Sequence, residues 1–130
     1  ASYGTAILSK YPNSEALAVN VAPSPPTTSK GFTHARIRLN SEQSLDVVSV
    51  HFGFFCTSIR QQQLEQLNQQ LKDPLTKVII MGDFNSEGQL GKPDEVNHFL
   101  QQSPYRAFEL GNKALTSYKN KRLDWIFLKA

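Results

Sequence analysis

The sequence predicts an α/β fold in which a mixed sheet is flanked by helices. Residues 78–81 are apolar without interruption, which is typical of a strand that is buried on both faces. An alternating segment at 45–51 and a helical repeat of leucines come before it, so residues 45–83 form a predicted β-α-β unit. Such a unit places its two strands parallel and joins them by a right-handed crossover.

Length and composition favour a single small domain. The chain has 130 residues, of which 39% are hydrophobic and 19% are charged, and its net charge is +3. That charge is compatible with an anionic substrate, but it is far below the dense positive charge of a dedicated nucleic-acid-binding surface. No apolar run approaches the length of a membrane span. The one cysteine, Cys56, excludes a disulfide within these residues and a zinc site built from several cysteines.

Strands dominate the first half of the chain. Short strands are expected at 4–8 and 15–21, and the proline-rich segment at 23–29 is expected to be a surface loop. The alternating segments 32–39 and 45–51 follow, and they are expected to form an antiparallel hairpin.

The clearest helix is predicted to begin at Ser58, because its hydroxyl can cap the first turn and Gln61 stands three residues later. Asp73 and Pro74 end it. Its buried stripe is predicted to consist of Leu64, Leu67 and Leu71.

Three shorter elements are predicted after the strand at 78–81. Residues 94–102 have the amphipathic pattern of a short helix, and residues 105–110 are expected to form an edge strand. Residues 123–128 are expected to form the last strand.

Polar side chains stand where the predicted strands begin or end. His51 closes the first strand of the β-α-β unit, Asp83 and Asn85 follow the second, and Asp124 opens the last strand. Parallel pairing brings His51 and Asp83 to one rim of the sheet, and an antiparallel last strand would bring Asp124 to the same rim. Because α/β enzymes build their sites from polar groups that converge at strand ends, these four residues form the candidate site.

Spacing alone leaves simpler interpretations open. Asp83 and Asn85 could serve only as turn residues. His51 could be a half-buried structural histidine, and Asp124 could pair with the basic residues just before it on the surface.

Five sequence blocks occur in an order that is specific to one family. The most specific is Gly-Asp-Phe-Asn, within MGDFNS at 81–86. The others are GTAILSKYP at 4–12, VSVHF at 48–52, RLDWIF at 122–127, and Arg60 with Gln63 on the predicted helix. Together they resemble the endonuclease/exonuclease/phosphatase superfamily, the group of pancreatic deoxyribonuclease, abasic-site endonucleases, neutral sphingomyelinases and inositol polyphosphate phosphatases.

The resemblance implies metal-dependent phosphoester hydrolysis on a two-sheet α/β sandwich of the deoxyribonuclease type. By the family pattern, Asp83 orients and deprotonates the attacking water. Asp83 and Asn85 lie at the metal, Mg²⁺ or Mn²⁺, and Asn85 and His51 bind the phosphate. Asp124 orients a catalytic histidine. Phosphoryl transfer depends on positioning and on neutralising oxygen charge, which suits these residue types.

The resemblance also implies that residues 1–130 are one partial domain. The family's N-terminal strands, one ending in asparagine and one in the main glutamate ligand, would precede Gly4, and its terminal Asp-His motif would follow the last strand. The chain by itself is therefore expected to bind Mg²⁺ poorly and to hydrolyse phosphoesters negligibly. It is also expected to expose apolar surface that pairs with the missing N-terminal half or with another copy.

Two questions stay open at the level of sequence. The substrate could be nucleic acid, phospholipid or inositol phosphate. The alternative to an enzyme is a non-catalytic, truncated relative that keeps the sheet as a binding or interaction module.

Overall fold

The computed structural model describes residues 5–20, 31–52, 57–71, 73, 76–84, 95–108 and 123–129. Within these ranges the chain forms six strands and two helices. In chain order they are β1 (Asn13–Asn20), β2 (Gly31–Arg38), β3 (Ser44–His51), α1 (Thr57–Gln70), β4 (Val78–Asp83), α2 (Glu95–Gln102), β5 (Arg106–Ala107) and β6 (Asp124–Lys129). The predicted α/β class is confirmed.

The six strands form one mixed sheet in the order β1-β2-β3-β4-β6-β5. β3 and β4 are parallel, with α1 between them in the chain, as the β-α-β pattern predicted. The other neighbouring pairs are antiparallel, including the predicted hairpin of β2 and β3. The parallel pair therefore lies in the middle of the sheet.

One face of the sheet, which we call the helix face, is covered by α1 and α2 and holds the main core. The predicted stripe of α1 packs here: Leu67 is fully buried, and Leu64 and Leu71 are nearly so. Burying one such side chain contributes about 1.5–3 kcal/mol. The aromatic rings of Phe84 and Phe127 lie under the helices, with their centroids 4.8 Å apart.

The opposite face, which we call the open face, carries the alternate side chains of the same strands. On its β2 side, Ile7 packs against a small cluster of Ala35, Ile37 and Val47. Near the centre of the sheet, Met81 remains 37% exposed.

The strand predicted at 4–8 is wrong for its described part, because residues 5–9 join no ladder. The Thr5 hydroxyl instead hydrogen-bonds to the Thr33 hydroxyl at 2.8 Å, and Ile7 packs on the open face. The apolar character of this segment thus reflects packing onto the sheet and not pairing within it.

Most element boundaries differ from the predictions by one or two residues where both can be compared. α1 begins at Thr57, one residue before the predicted cap, and β5 covers only Arg106–Ala107. β1 begins at Asn13 and contains a bulge between Ser14 and Leu17, where Glu15 has a φ of 52°. A bulge twists an edge strand and so discourages pairing with another chain.

The end of the helix face opposite His51, which we call the base, holds a buried carboxylate. Asp46 is 4% exposed, and its Oδ2 is hydrogen-bonded to His34 Nε2 at 2.9 Å. Arg36 Nε donates to Asp46 Oδ1 at 2.9 Å. This hydrogen bond, with the attraction of the Asp46 charge, raises the pKa of Arg36. The cluster satisfies the charge of Asp46, whose burial would otherwise be costly.

Lys129 and Tyr105 form a second buried pair beside the Asp46 carboxylate. Lys129 is 7% exposed, and its Nζ donates to the Asp73 carbonyl at 2.6 Å. The same Nζ lies 5.8 Å from the ring centroid of Tyr105. The buried Tyr105 hydroxyl has no hydrogen-bond partner among the described residues. Burial, helped by the Asp46 charge, raises the pKa of Tyr105.

Replacing Asp46→Ala is expected to destabilise the protein by about 2–3 kcal/mol, because two hydrogen bonds to a buried, charged carboxylate are lost. Urea unfolding measures the change. Glu42→Ala, in the exposed turn between β2 and β3, is the control and should change stability by less than about 0.5 kcal/mol. Equal effects of the two variants would contradict a stabilising role for the cluster.

Tyr105 is expected to make the protein less stable in alkali. Because its pKa is raised in the folded state, its contribution is complete below the ordinary tyrosine pKa of about 10 and is lost as pH rises above that value. The loss is at most about 1.4 kcal/mol per pH unit. Tyr105→Phe should remove this loss and preserve neutral-pH stability. The control is Tyr11→Phe. Because Tyr11 is 43% exposed, this variant should still lose stability as the pH rises. Urea unfolding between about pH 8 and 11 compares the variants.

Candidate functional site

The strand register aligns three of the four predicted site residues in one row. His51 is the partner of Asp83 in the parallel pair β3–β4, and Asp83 is the partner of Asp124 in the antiparallel pair β4–β6. The predicted strand directions are confirmed, and the three residues lie at one end of the sheet, which we call the rim. Neighbouring strands are about 4.8 Å apart, so the side chains stand next to one another.

All three side chains belong to the open face. Along β4, Asp83 follows Met81 by two residues, and alternate residues of a strand share a face. Phe52 follows His51 and Phe84 follows Asp83, and both phenylalanines point to the helix face, where they are buried. Their rings pack edge-to-face, with the centroids 5.4 Å apart. The polar row thus rests on a buried aromatic layer.

The contact between His51 and Asp83 is loose. His51 Nε2 lies 3.8 Å from Asp83 Oδ2, beyond hydrogen-bond distance but close enough for attraction when the imidazole is protonated. The side chains are 42% and 34% exposed, respectively. Both groups are therefore accessible to water and to a ligand at the rim.

Backbone hydrogen bonds hold the rim strands in register. The Phe52 N–H donates to the Asp83 carbonyl at 2.9 Å, and the Phe84 N–H donates to the Leu123 carbonyl at 2.9 Å. These bonds continue the pairing beyond the last ladder residues of β3 and β4. The backbone is therefore fixed at the point where the polar side chains emerge.

Gly82 allows β3 and β4 to approach closely just before the rim. Its φ is +140°, and a Cβ at this position would overlap the carbonyl oxygen of Val50. Side chains other than hydrogen are disfavoured in this backbone region. Gly82 and Val50 are register partners and directly precede Asp83 and His51, so the glycine sets the spacing at the rim.

A family model described as the Endonuclease/Exonuclease/phosphatase family matches residues 1–130. The chain belongs to this family. No curated protein sequence matches the chain.

Solved structures share the fold with this family member at low sequence identity. A beta toxin structure from Staphylococcus aureus is 21% identical, with a TM-score of 0.69 over 93% of this chain and 51% of that one. Sphingomyelinase C from Streptomyces griseocarneus is 16% identical, with a TM-score of 0.68 over 93% and 50% of the two chains. The human Nocturnin catalytic domain, with bound sulfate, is 14% identical, with a TM-score of 0.69 over 92% and 48%.

The chain thus spans about half the length of the structures it matches. Another S. aureus beta toxin structure has bound magnesium ions.

The structure gives less information on the other residues that the sequence singled out. Asn85 lies outside the described residues, as does Cys56. Arg60 lies in α1, where its side chain is not described, and Gln63 is fully buried on the same helix. Among the described residues, no group of three His, Cys, Asp or Glu side chains is close enough to hold a metal ion.

Two clefts that described residues line lie away from the rim. One of about 410 Å³ lies at the base, next to Arg36 and Lys77, and one of about 430 Å³ lies between α1 and α2, over Leu64 and Phe99. Neither is lined by a residue of the polar row. No helix in the described part of the chain is long and apolar enough to cross a membrane.

The Asp46 cluster was not among the features predicted from the sequence. The signal was the hairpin itself, because Arg36 and Asp46 are directly opposite in its register. An opposite-charge pair at facing hairpin positions favours contact. The burial of Asp46 could not be predicted, because it depends on the elements packed over it.

Gly82→Ala is expected to destabilise the protein by at least about 2 kcal/mol, because the methyl group forces β3 and β4 apart in a strained backbone region. The separation should break the bond from the Phe52 N–H to Asp83, so exchange of the Phe52 amide hydrogen should accelerate well beyond that of Val48. The control is Ser49→Ala, which changes the residue before Val50 on β3 and should leave exchange of the Phe52 amide hydrogen unchanged. Unchanged Phe52 protection in Gly82→Ala would contradict the role given to the glycine.

Proposed function

We propose that the chain forms part of a metal-dependent phosphoester hydrolase. The observation that carries this proposal is the row of His51, Asp83 and Asp124 across three adjacent strands of a family member. An imidazole beside two accessible carboxylates provides groups that can move a proton and neutralise oxygen charge. Phosphoryl transfer needs both.

Asp83 is the proposed base. Its carboxylate is one-third exposed, so an attacking water can reach it and give up a proton to Oδ1 or Oδ2. Two backbone contacts restrict the position of Asp83. Gly82 on one side lies close to Val50, and the Phe84 N–H on the other donates to the Leu123 carbonyl. A restricted base raises the fraction of encounters with correct geometry.

His51 is the proposed phosphate contact. Protonated, it can donate from Nε2 to a phosphate oxygen, and the nearby Asp83 carboxylate at 3.8 Å stabilises the imidazolium. Asn85, two residues after Asp83, is proposed to donate its amide N–H to another phosphate oxygen. The partner proposed for Asp124 is a histidine from polypeptide outside these 130 residues.

The metal implied by the family does not fit the described residues alone. Mg²⁺ prefers oxygen ligands in near-octahedral geometry, and the described part of the chain gathers no group of three candidate side chains. Asp83 and Asn85 stay the proposed ligands on this chain. We propose that further oxygen ligands come from outside the described residues, as a partial domain in a two-sheet sandwich would require.

The proposed substrate is a phosphoester, which includes nucleic acid, phospholipid and inositol phosphate. A net charge of +3 favours approach of any of these anions. The names of the structural neighbours point to more than one substrate, so they do not narrow the class further.

Asp83→Asn is expected to reduce hydrolysis of an aryl phosphodiester with Mg²⁺ by at least about 1,000-fold in the active protein, equivalent to about 4 kcal/mol in the barrier. The amide keeps the shape of the carboxylate but cannot accept the proton, so the thermal unfolding midpoint should change little. Glu42→Gln, an exposed carboxylate in the β2–β3 turn, is the matched control and should retain full turnover. Near-normal turnover in Asp83→Asn would rule out the role of Asp83 as base.

A further inference from the structure

The groove between α1 and α2 lies on the helix side of the sheet, and no residue of the polar row lines it. Its volume is about 430 Å³, within the range of sites for small ligands. Its floor is apolar and consists of Leu64 and Phe99, which are 6% and 3% exposed. Its walls are polar, and the side chains that form them are Gln61, Glu65, Asn68, His98 and Gln102.

The polar groups of the walls are available to a ligand. None of the five wall side chains has a hydrogen-bond or ion-pair partner among the described residues. Gln61, Asn68 and Gln102 carry primary amides, which both donate and accept hydrogen bonds. A peptide group also donates and accepts hydrogen bonds. The walls therefore match the hydrogen-bonding needs of a polypeptide backbone that lies along the groove.

Glu65 gives the groove its charge. No lysine or arginine is among the described residues that line the groove, and His98 is the other titratable side chain there. Glu65 is exposed, and it lies between Gln61 and Asn68 on one face of α1, because residues three and four apart on a helix are neighbours. Charge complementarity therefore favours an occupant whose central side chain is a cation.

The length of the α1 wall limits the occupant. Gln61 and Asn68 are seven residues apart, which is about 10 Å along a helix axis. An extended polypeptide covers about 3.3 Å per residue, so about three residues match this wall. In an extended segment the first and third side chains point one way and the second points the other way. Two apolar side chains can then rest on the floor while a central cationic side chain reaches the exposed Glu65 carboxylate.

We propose that the groove binds an extended segment of a partner protein, in which an arginine stands between two apolar residues. The arginine pairs with Glu65, and the apolar side chains lie over Leu64 and Phe99. Arginine suits this position better than lysine, because its guanidinium is more weakly hydrated. The site is distinct from the rim, so the inference goes beyond the proposed function and does not depend on it.

Two peptides test the site in nuclear magnetic resonance titrations of the full chain. The probe is acetyl-Leu-Arg-Leu-amide, and its control replaces arginine with citrulline, which has a similar shape but no charge. We expect the arginine peptide to shift the side-chain amide signals of Gln61 and Asn68, with a dissociation constant below about 1 mM. The citrulline peptide should bind about three- to fivefold more weakly, the scale of an exposed ion pair, and high salt should reduce the difference.

Variants separate the effect of charge from that of shape. Glu65→Gln should make the two peptides bind equally, and Glu65→Lys should reverse their order, because the new charge repels arginine. Glu42→Gln, which removes an exposed carboxylate in the β2–β3 turn, is the matched control and should preserve the preference for arginine.

Equal binding of the two peptides to the unaltered chain, or a preference for arginine that survives Glu65→Gln, overturns the proposal. The same holds for groove signals that stay unshifted at about 5 mM peptide. Shifts of these signals when the chain is concentrated without peptide would assign the groove to a second copy and would also overturn it. The comparison of the two peptides on the unaltered chain decides the matter even where a substitution prevents folding.

Discussion

The close approach of β3 and β4 at Val50 and Gly82 is the constraint on which the rim depends. The Val50 carbonyl occupies the space where any other residue at position 82 would place its Cβ. Because parallel strands meet with a fixed register, that contact places His51 beside Asp83 in the next pair. The candidate site is therefore a consequence of backbone packing in the middle of the sheet.

Successive side chains of a strand point to opposite faces of the sheet, so each site segment carries a polar residue on one face and a supporting aromatic residue on the other. At the rim, the polar residues lie on the open face, and the aromatic residue that follows lies on the helix face. Phe84 contacts both Phe52, at 5.4 Å between centroids, and Phe127, at 4.8 Å. Edge-to-face and tilted aromatic pairs of this kind add about 0.5–1.5 kcal/mol beyond the area they bury. The aromatic layer thus holds the backbone that carries Asp83 rigid while the carboxylate itself stays accessible.

The two ends of the sheet handle charge in different ways. At the base, the Asp46 carboxylate is buried, and hydrogen bonds from His34 and Arg36 satisfy it and tie β2 to β3. At the rim, His51 and Asp83 are loosely paired and one-third or more exposed. A buried carboxylate with satisfied hydrogen bonds stabilises the fold, whereas a loosely paired and accessible carboxylate can contact a ligand. This contrast separates a structural cluster from a candidate site although both contain histidine and aspartate.

The sequence by itself determined the β-α-β unit, the leucine stripe of α1 and the strand-end position of the polar residues, because these depend on local periodicity and on residues close in the chain. It also carried the family, through the order of its motifs. Tertiary structure alone decided that residues 5–9 pack on the sheet without joining it, since pairing depends on which neighbouring strand is available. It decided the burial of Asp46 as well, because a carboxylate is buried or exposed according to the elements packed over it. The register that aligns His51, Asp83 and Asp124 was also decided there, since a strand whose residues are apolar on both faces can be placed in its sheet only by the strands beside it.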